Sequence, residues 1–454
     1  MIKNLYKVLT ATLFALCLCV GAAEGQVTYH NGVQHGVVKV KFTNSMTNSL
    51  KSMRVSTNQG LTTGISAFDQ VSKEAKANAM HRLFPENPNP ELEAKARKHG
   101  LHLWYRVMIN EDQNPADVAK RYAALAEVST AEVVREKSLS PYTVYEHSGV
   151  TAYSANASFD DPYLADQWHY DNTGQTGFDG GSDINLSAAW ETTAGSAEVI
   201  VSIHDQGVDV NHADLVDNLW INQVELNGQP GIYDDNNGYI DDIHGYNFDD
   251  ETGEIDPEFH GTHVAGTVAA VNNNGFGVAG VAGGTGNGDG ARIMSLQMLN
   301  GGSIEETYIY AANNGAVISQ NSWGYTSPGD YEQSVIDAIN YFIEEAGDYE
   351  GSPMLGGVVI FAAGNSSWDA EWYPGYYEHT ISVSSIGPNW QKAGYSNFGT
   401  WVDIAAPGGD TEYGAINGVL STLPDNQFGY LDGTSMACPH VSGVAALILA
   451  NRTS

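Results

Sequence analysis

A chain of 454 residues, 42% of them hydrophobic, is long enough for two or three domains and can bury a sizeable core, so a globular protein is expected. Its net charge of −34 is split unevenly: from Thr151 onward there are 3 basic and 41 acidic residues, net −38, whereas Val27 to Val150 carries 15 basic and 12 acidic, net +3. So acidic a body speaks against nucleic acid and anionic membranes as partners, because phosphate binding needs Lys/Arg surfaces, and it is compatible with bound cations.

The chain opens with Lys3 and Lys7, an apolar run from Leu9 to Val20 and the small residues Gly21, Ala22 and Ala23, the three-part layout of a secretory signal peptide over residues 1–25. A run of about 12 apolar residues falls short of the roughly 20 that span a bilayer, and no later segment is long and apolar enough, so a secreted protein without a membrane span is expected. Cys17 and Cys19 lie inside this segment, each preceded by leucine rather than a small residue, which speaks against a lipid anchor. Cys438 alone would remain in the mature chain, without an internal disulfide.

Residues 27–137 read as a small α+β domain. Val37 to Phe42 alternates like a strand, Pro90 to His99 favours helix, Leu103 to Met108 is strand-like, and Pro115 to Leu125 is helical. Residues 138–160 are polar and without period, the pattern of a linker. Over residues 161–454 strands and helices alternate, as in a parallel α/β sheet. Candidate strands are 198–204, 291–297, 316–321, 357–363 and 380–384, and helices begin near His260, Ser303, Asp330 and Thr434. In such sheets functional residues gather at the carboxyl ends of strands.

Three segments place a reactive residue at a strand end or a helix start. Asp205 follows the apolar strand Val199 to His204; alone, an Asp there is more often a turn residue than a catalytic one. His260-Gly261-Thr262-His263 opens an apolar helix, and without a Glu between histidines at i and i+4 it lacks the zinc-protease pattern. Ser435, in Gly433-Thr434-Ser435-Met436-Ala437-Cys438-Pro439-His440, could be only a helix cap. Together, in the order Asp, His, Ser, the three contexts resemble those of the subtilisin-like serine peptidase family (subtilase, peptidase S8), over roughly Asp161 to Ser454.

That resemblance implies a three-layer α/β domain with a mainly parallel sheet, preceded by a small α+β propeptide domain, and a serine endopeptidase made as a zymogen. Ser435 would be the nucleophile, His260 the general base and acid, and Asp205 the group that orients the imidazole. Asn365, after the apolar strand Val358 to Phe361, falls where the family carries its side-chain oxyanion donor; its match to a glycosylation sequon is discounted, since a glycan would block the site. Ser322, Trp323 and Gly324 match the segment lining one side of the first specificity pocket, with Ala363 and Gly364 on the other; Trp323 could equally be a core residue. Protein or peptide substrates would lie there as extended strands.

The family often binds structural calcium through oxygens from three segments, here Asp161, Asp214 and Asn273, although the 271–278 loop is one residue longer than usual. The acidic run 234–242 resembles a calcium loop of some relatives, with Asp234, Asn236 and Asp241 as candidates, or is a solvated turn; it fails the EF-hand spacing. No organic cofactor is expected. The front domain, at +3 against −38, would dock as an intramolecular inhibitor until cut away between Ser138 and Phe159. Two features depart from the family: Gln206 stands where Thr or Ser is usual, and the chain ends 19 residues after Ser435, so further sheet and helix are expected beyond it. A degenerate binding protein on this fold would resist fluorophosphonate labelling at Ser435, and an esterase would cleave esters but not peptides; the Gly-x-Ser-x-Gly elbow of that class is absent around Ser435.

Overall fold

The computed structural model describes residues 28–453 apart from 54, 57–59, 148–158 and 233. The apolar leader at 1–25 and much of the expected linker lie outside the described residues. At the front, β1 (Tyr29–His30), β2 (Val33–Phe42), β3 (Ala79–Arg82), β4 (Trp104–Met108) and β5 (Val128–Arg135) form an antiparallel sheet with β2 between β4 and β5. Helices α1 (Thr47–Ser52), α2 (Ser66–Glu74), α3 (Pro90–Lys98) and α4 (Pro115–Ala123) accompany it. The period of two along β2 sends Val38, Val40 and Phe42 into a core with Phe68, Val71, Val118 and Tyr122, and leaves Lys39 and Lys41 for the opposite face. Both α3 and α4 start on an Asn-Pro pair: Asn89 and Asn114 accept from the backbone N–H of Glu91 (3.0 Å) and Ala116 (2.9 Å), and proline takes the first helical position.

Two short strands follow, β6 (Lys137–Ser138) and β7 (Tyr145–Glu146). The body contributes α5 (Leu186–Trp190), β8 (Ile200–Asp205), α6 (Gln223–Leu226), β9 (Gly245–Asn247), α7 (Phe259–Ala269), β10 (Arg292–Gln297) and α8 (Ile304–Asn313). Then come β11 (Ile318–Asn321), β12 (Gly324–Tyr325), α9 (Gln333–Glu345), β13 (Val358–Ala362), β14 (Ile381–Ile386), β15 (Ile404–Pro407), β16 (Val419–Leu423), β17 (Gln427–Leu431) and α10 (Thr434–Thr453). Seven strands make one sheet in the order β15-β14-β13-β11-β8-β10-β9, every pair parallel. On one face Val201, Ile203, Ile318 and Ile360 pack against Val264 and Val268 of α7 and Met436 and Ala446 of α10. On the other, Met294, Leu296 and Phe361 pack against Tyr308 of α8 and Val335, Ile339 and Phe342 of α9, together with Trp104 from the front domain.

The fold is therefore the expected three-layer α/β domain behind an α+β domain, and the expected strands and helices start and stop within four residues of those observed. Unforeseen is the hairpin β16–β17, whose turn carries Asp425 and Asn426 at φ 62° and 59°. The chain runs from β8 out to β10 on one side and returns to β11 on the other, so a crevice opens at the carboxyl ends of β8 and β11. Among the described residues no helix is long and apolar enough to cross a membrane.

Candidate active site

Asp205 ends β8, fully buried, and His260 occupies the first turn of α7 at 1% exposure. His260 Nδ1 lies 2.8 and 2.9 Å from the two Asp205 oxygens. This approach depends on absent side chains: a Cβ on Gly261 would fall 2.1 Å from the Gly207 carbonyl oxygen, and one on Gly207, at φ 130°, would fall 2.3 Å from that of Asp256. The backbone N–H of Gln206 donates to Asp205 Oδ1 at 2.8 Å, while the buried Gln206 Oε1 has no partner among the described residues. The unusual residue thus reaches Asp205 through its backbone. His263 turns away to the carbonyls of Val419 (2.9 Å) and Gly429 (3.2 Å), and burial lowers its pKa to about 3. The two histidines share no ligand position, so this pair is not a metal site.

Ser435 stands at the second position of α10, 5% exposed, across the crevice. Its hydroxyl donates to the Ser322 carbonyl at 3.3 Å; among the described residues no hydrogen bond joins it to the His260 ring. Pro439, four residues on, has no N–H to give the Ser435 carbonyl, and the Ser322 hydroxyl donates there instead at 2.9 Å. That exchange ties the start of α10 to the end of β11. Asn365 Oδ1 accepts from Thr434 N (3.0 Å) and Thr434 Oγ1 (2.7 Å), which fixes the amide. A Cβ built on Gly433 would lie 3.2 Å from Asn365 Nδ2 and 3.6 Å from Ser435 N, so both N–H groups border the space that this glycine leaves open.

A cleft of about 220 Å³ is lined by Ser322, Trp323, Gly324, Ala363, Gly364, Asn365 and Ser435. All five residues expected to contact substrate therefore border one cavity. The Trp323 ring itself is core, 3% exposed and 5.4 Å from the Phe361 ring. Ser138 to Pro141 line the same cleft. Here β6 adds antiparallel to β12, Ser138 opposite Gly324 and Lys137 opposite Tyr325, and the Tyr142 ring comes within 5.2 Å of His260. Burial, then the Asp205 and Glu258 charges, raise the pKa of Tyr142. Farther on, β7 joins β17.

Of the calcium candidates, Asp161 and Asp214 meet on the 271–278 loop. Asp161 accepts from the backbone of Asn273 (2.9 Å), and Asp214 from Val278 N (2.9 Å). The Asn273 amide donates to the Thr285 carbonyl, and the side chain that reaches Asp214 is that of Asn274, whose amide N–H donates at 2.7 Å. Burial raises Asp161 to about 6 and lifts Asp214 far above its ordinary range, with the Asp161 charge adding to it. In the acidic run the convergent carboxylates are Glu225, Asp235 and Asp242, with oxygens within 4.8 Å of one another. Asp234 and Asp241 are instead spent on backbone turns at Gln229 (2.7 Å) and Gly231 (2.9 Å), and Asn236 is exposed. Burial first, then Asp235 and Glu225, pushes Asp242 up to about 7. The all-oxygen set Glu225, Asp235 and Asp242 could hold a hard cation such as calcium, whereas Asp161 and Asp214 accept from N–H groups of the 271–278 loop. Glu225 lies on α6, outside the acidic run, and no sequence signal links it to that run.

The Subtilase family matches residues 196–454 and the N-terminal of Subtilase family matches residues 38–174. A thermophilic serine proteinase of Bacillus sp. (strain AK1) is 31% identical over 373 residues, 80% of this chain and 76% of that protein. Thermitase of Thermoactinomyces vulgaris is 34% identical over 276 residues, 59% of this chain and 81% of its own length. Among solved structures, fervidolysin from Fervidobacterium pennivorans, a keratinolytic enzyme related to subtilisin, shares the fold at TM-score 0.59 and 21% identity, covering 93% of this chain and 56% of that one. With more than half of its length matched and the sheet, cleft and front domain arranged as above, this chain belongs to the Subtilase family and is a subtilisin-like serine peptidase.

Proposed function

We propose that the chain is the secreted zymogen of a serine endopeptidase in which Asp205, His260 and Ser435 form the catalytic triad. The observation that carries this reading is the Asp205–His260 contact at 2.8 Å, with Ser435 and Asn365 lining a cleft whose segment Ser138 to Pro141 leads directly to Tyr142, 5.2 Å from the His260 ring. A serine hydroxyl is a weak nucleophile at neutral pH, so it needs a base. Rotation about one bond frees Ser435 Oγ from the Ser322 carbonyl. It then attacks the scissile carbonyl carbon while His260 Nε2 takes the proton, and Asp205 holds the Nδ1–H tautomer and stabilises the imidazolium. The oxyanion is met by Ser435 N–H, at the positive end of a 20-residue helix, and by Asn365 Nδ2. His260 next protonates the leaving amine, and water repeats the cycle on the acyl-enzyme.

Residues 1–25 are read as the export signal, 27–137 as the inhibitory propeptide, 138–160 as the processing region and 161–454 as the peptidase domain. The run of Ser138 to Pro141 through the cleft supports inhibition by occupancy: the precursor's own segment lies where a protein or peptide substrate would lie. Asp161 with Asp214, and Glu225 with Asp235 and Asp242, would hold structural calcium, which neutralises their repulsion and takes no part in catalysis. The test is hydrolysis of casein and chromogenic peptides by the full-gene product, with and without chelator, beside Ser435→Ala and amino-terminal sequencing. Activity lost in Ser435→Ala, with a new terminus between Ser138 and Phe159, is the expected result; equal activity or equal inactivity of the two proteins would overturn the reading.

A further inference from the structure

The segment lying in the cleft also carries a charge into it. Lys137, opposite Tyr325 on β12, is buried to 8% side-chain exposure, with its ammonium on the Glu332 carboxylate and 5.4 Å from the centroid of the Tyr325 ring. Glu332 directly precedes α9 and is wholly buried. Among the described residues, the hydrogen bonds and ion pairs to its carboxylate all come from the front of the chain: Lys39, Lys137 and the backbone N–H of Arg135 (2.9 Å). Glu305, beside it, is likewise paired with Lys39. The body has only Arg292, Lys392 and Arg452 as Lys/Arg cations, and none of them joins an ion pair here among the described residues. Release of the front domain therefore leaves two carboxylates at the end of the substrate track without a counter-charge.

We propose that Glu332, supported by Glu305 and Tyr325, is a specificity-determining residue that selects lysine or arginine in substrates at the position Lys137 occupies in the precursor. The inference rests on the Ser435 reading above. A chain adding to β12 in the register of β6 would place that residue opposite Tyr325, a few residues before the bond presented to Ser435, where a cation restores the pairing and an acidic residue meets repulsion. In the precursor, burial lowers the pKa of Lys137, with the Glu332 carboxylate acting against that and the Lys39 charge adding to it; a substrate cation would meet the two carboxylates without Lys39.

The experiment uses the processed full-gene product and pools of internally quenched peptides, random elsewhere, with Lys, Arg, Leu or Glu fixed at each of the five positions before the cut. The expected result is a kcat/KM for Lys and Arg roughly 10- to 100-fold above Leu at one of these positions, the size of one buried charge-assisted hydrogen bond, with Glu lower still. In Glu332→Gln the Lys-to-Leu ratio should fall to within about threefold, and in wild type it should shrink as salt rises. A flat profile in an active wild-type enzyme, or a Lys preference unaltered by Glu332→Gln, overturns this inference alone. Absence of any cleavage that Ser435→Ala abolishes overturns the triad reading and this inference with it. Should Glu332→Gln fail to fold, the wild-type profile decides.

Discussion

The front domain and the body solve folding in opposite ways. The front is an antiparallel sheet with its own small core around Phe42, Phe68 and Tyr122, and it carries its cations outward. The body is a parallel sheet covered on both faces, and it is poor in cations of its own. Where they meet, each Lys or Arg comes from the front and each carboxylate from the body: Lys39 with Glu305 and Glu332, Lys41 with Asp337 (2.6 Å), Lys95 with Asp348 (2.8 Å), Lys98 with Glu345 (2.6 Å), Arg135 with Asp330. In the other direction, Glu132 of β5 accepts from Gln333 N (2.7 Å) and Ser334 N (3.1 Å) and so caps α9 of the body. The lesson is that the two charge balances complement each other at identified atoms, and that the body's surface is completed by a domain it is proposed to lose.

If the body holds all the chemistry and the front only covers it, Ser435→Ala should lower kcat by about 10⁶, the loss seen when subtilisin's nucleophile is removed, and should leave the precursor uncut on a gel. Substitution of Asn365 by Leu tests the oxyanion side of the same region. It should reduce kcat by roughly 10²–10³ with KM little changed, measured on a chromogenic peptide. On the covering side, Lys39→Met removes the ion-pair partner of buried Glu305 and leaves Glu332 with Lys137 alone. In the uncut Ser435→Ala chain it should destabilise the two-domain form by roughly 3–5 kcal/mol, read by denaturant titration.

A smaller effect separates the regions by metal dependence. Asp161, held at about 6, and Asp242, at about 7, have folded pKa values above their ordinary ones, so in metal-free protein their contribution to stability is present at low pH and lost as pH rises through those values. Chelation should therefore lower Tm more at pH 8 than at pH 5, by calorimetry with and without calcium; an equal loss at both would break the assignment. At the bottom of the scale stands Lys98→Ala. With the Lys98 side chain 66% exposed and His99 still 2.7 Å from Glu345, the melting of the precursor should not change.

Much of the site was readable because each part announces itself locally. Asp205 follows His204 and the apolar or small residues Val199 to Ile203, which read as a buried strand, His260 precedes small residues that let the helix approach, and Ser435 opens a helix after Gly433 and Thr434. Gln206 shows the limit of that reading: its type was noticed, yet its backbone N–H does what matters for Asp205. The calcium candidates show another. The sequence offers Asp161 and Asp214, and both carboxylates do reach the 271–278 loop, but that Asn274 rather than Asn273 contacts Asp214 goes with a left-handed residue, Asn273 at φ 58°, within the longer loop. Glu225 was out of reach because nothing in its own neighbourhood marks it.

The sequence by itself determined the alternation of the main strands and helices of the body, the division into a basic front and an acidic body, and the local contexts of Asp205, His260, Asn365 and Ser435. Those properties arise from side-chain period, composition and turn chemistry over a few consecutive residues. Only the tertiary structure decided that Lys137 reaches Glu332 across 195 positions, that Glu132 caps a helix 201 positions away, and that Ser138 to Pro141 thread the cleft. Such partners are chosen by how a whole domain docks, where burial forces each charge to find its complement, and no local pattern records the choice.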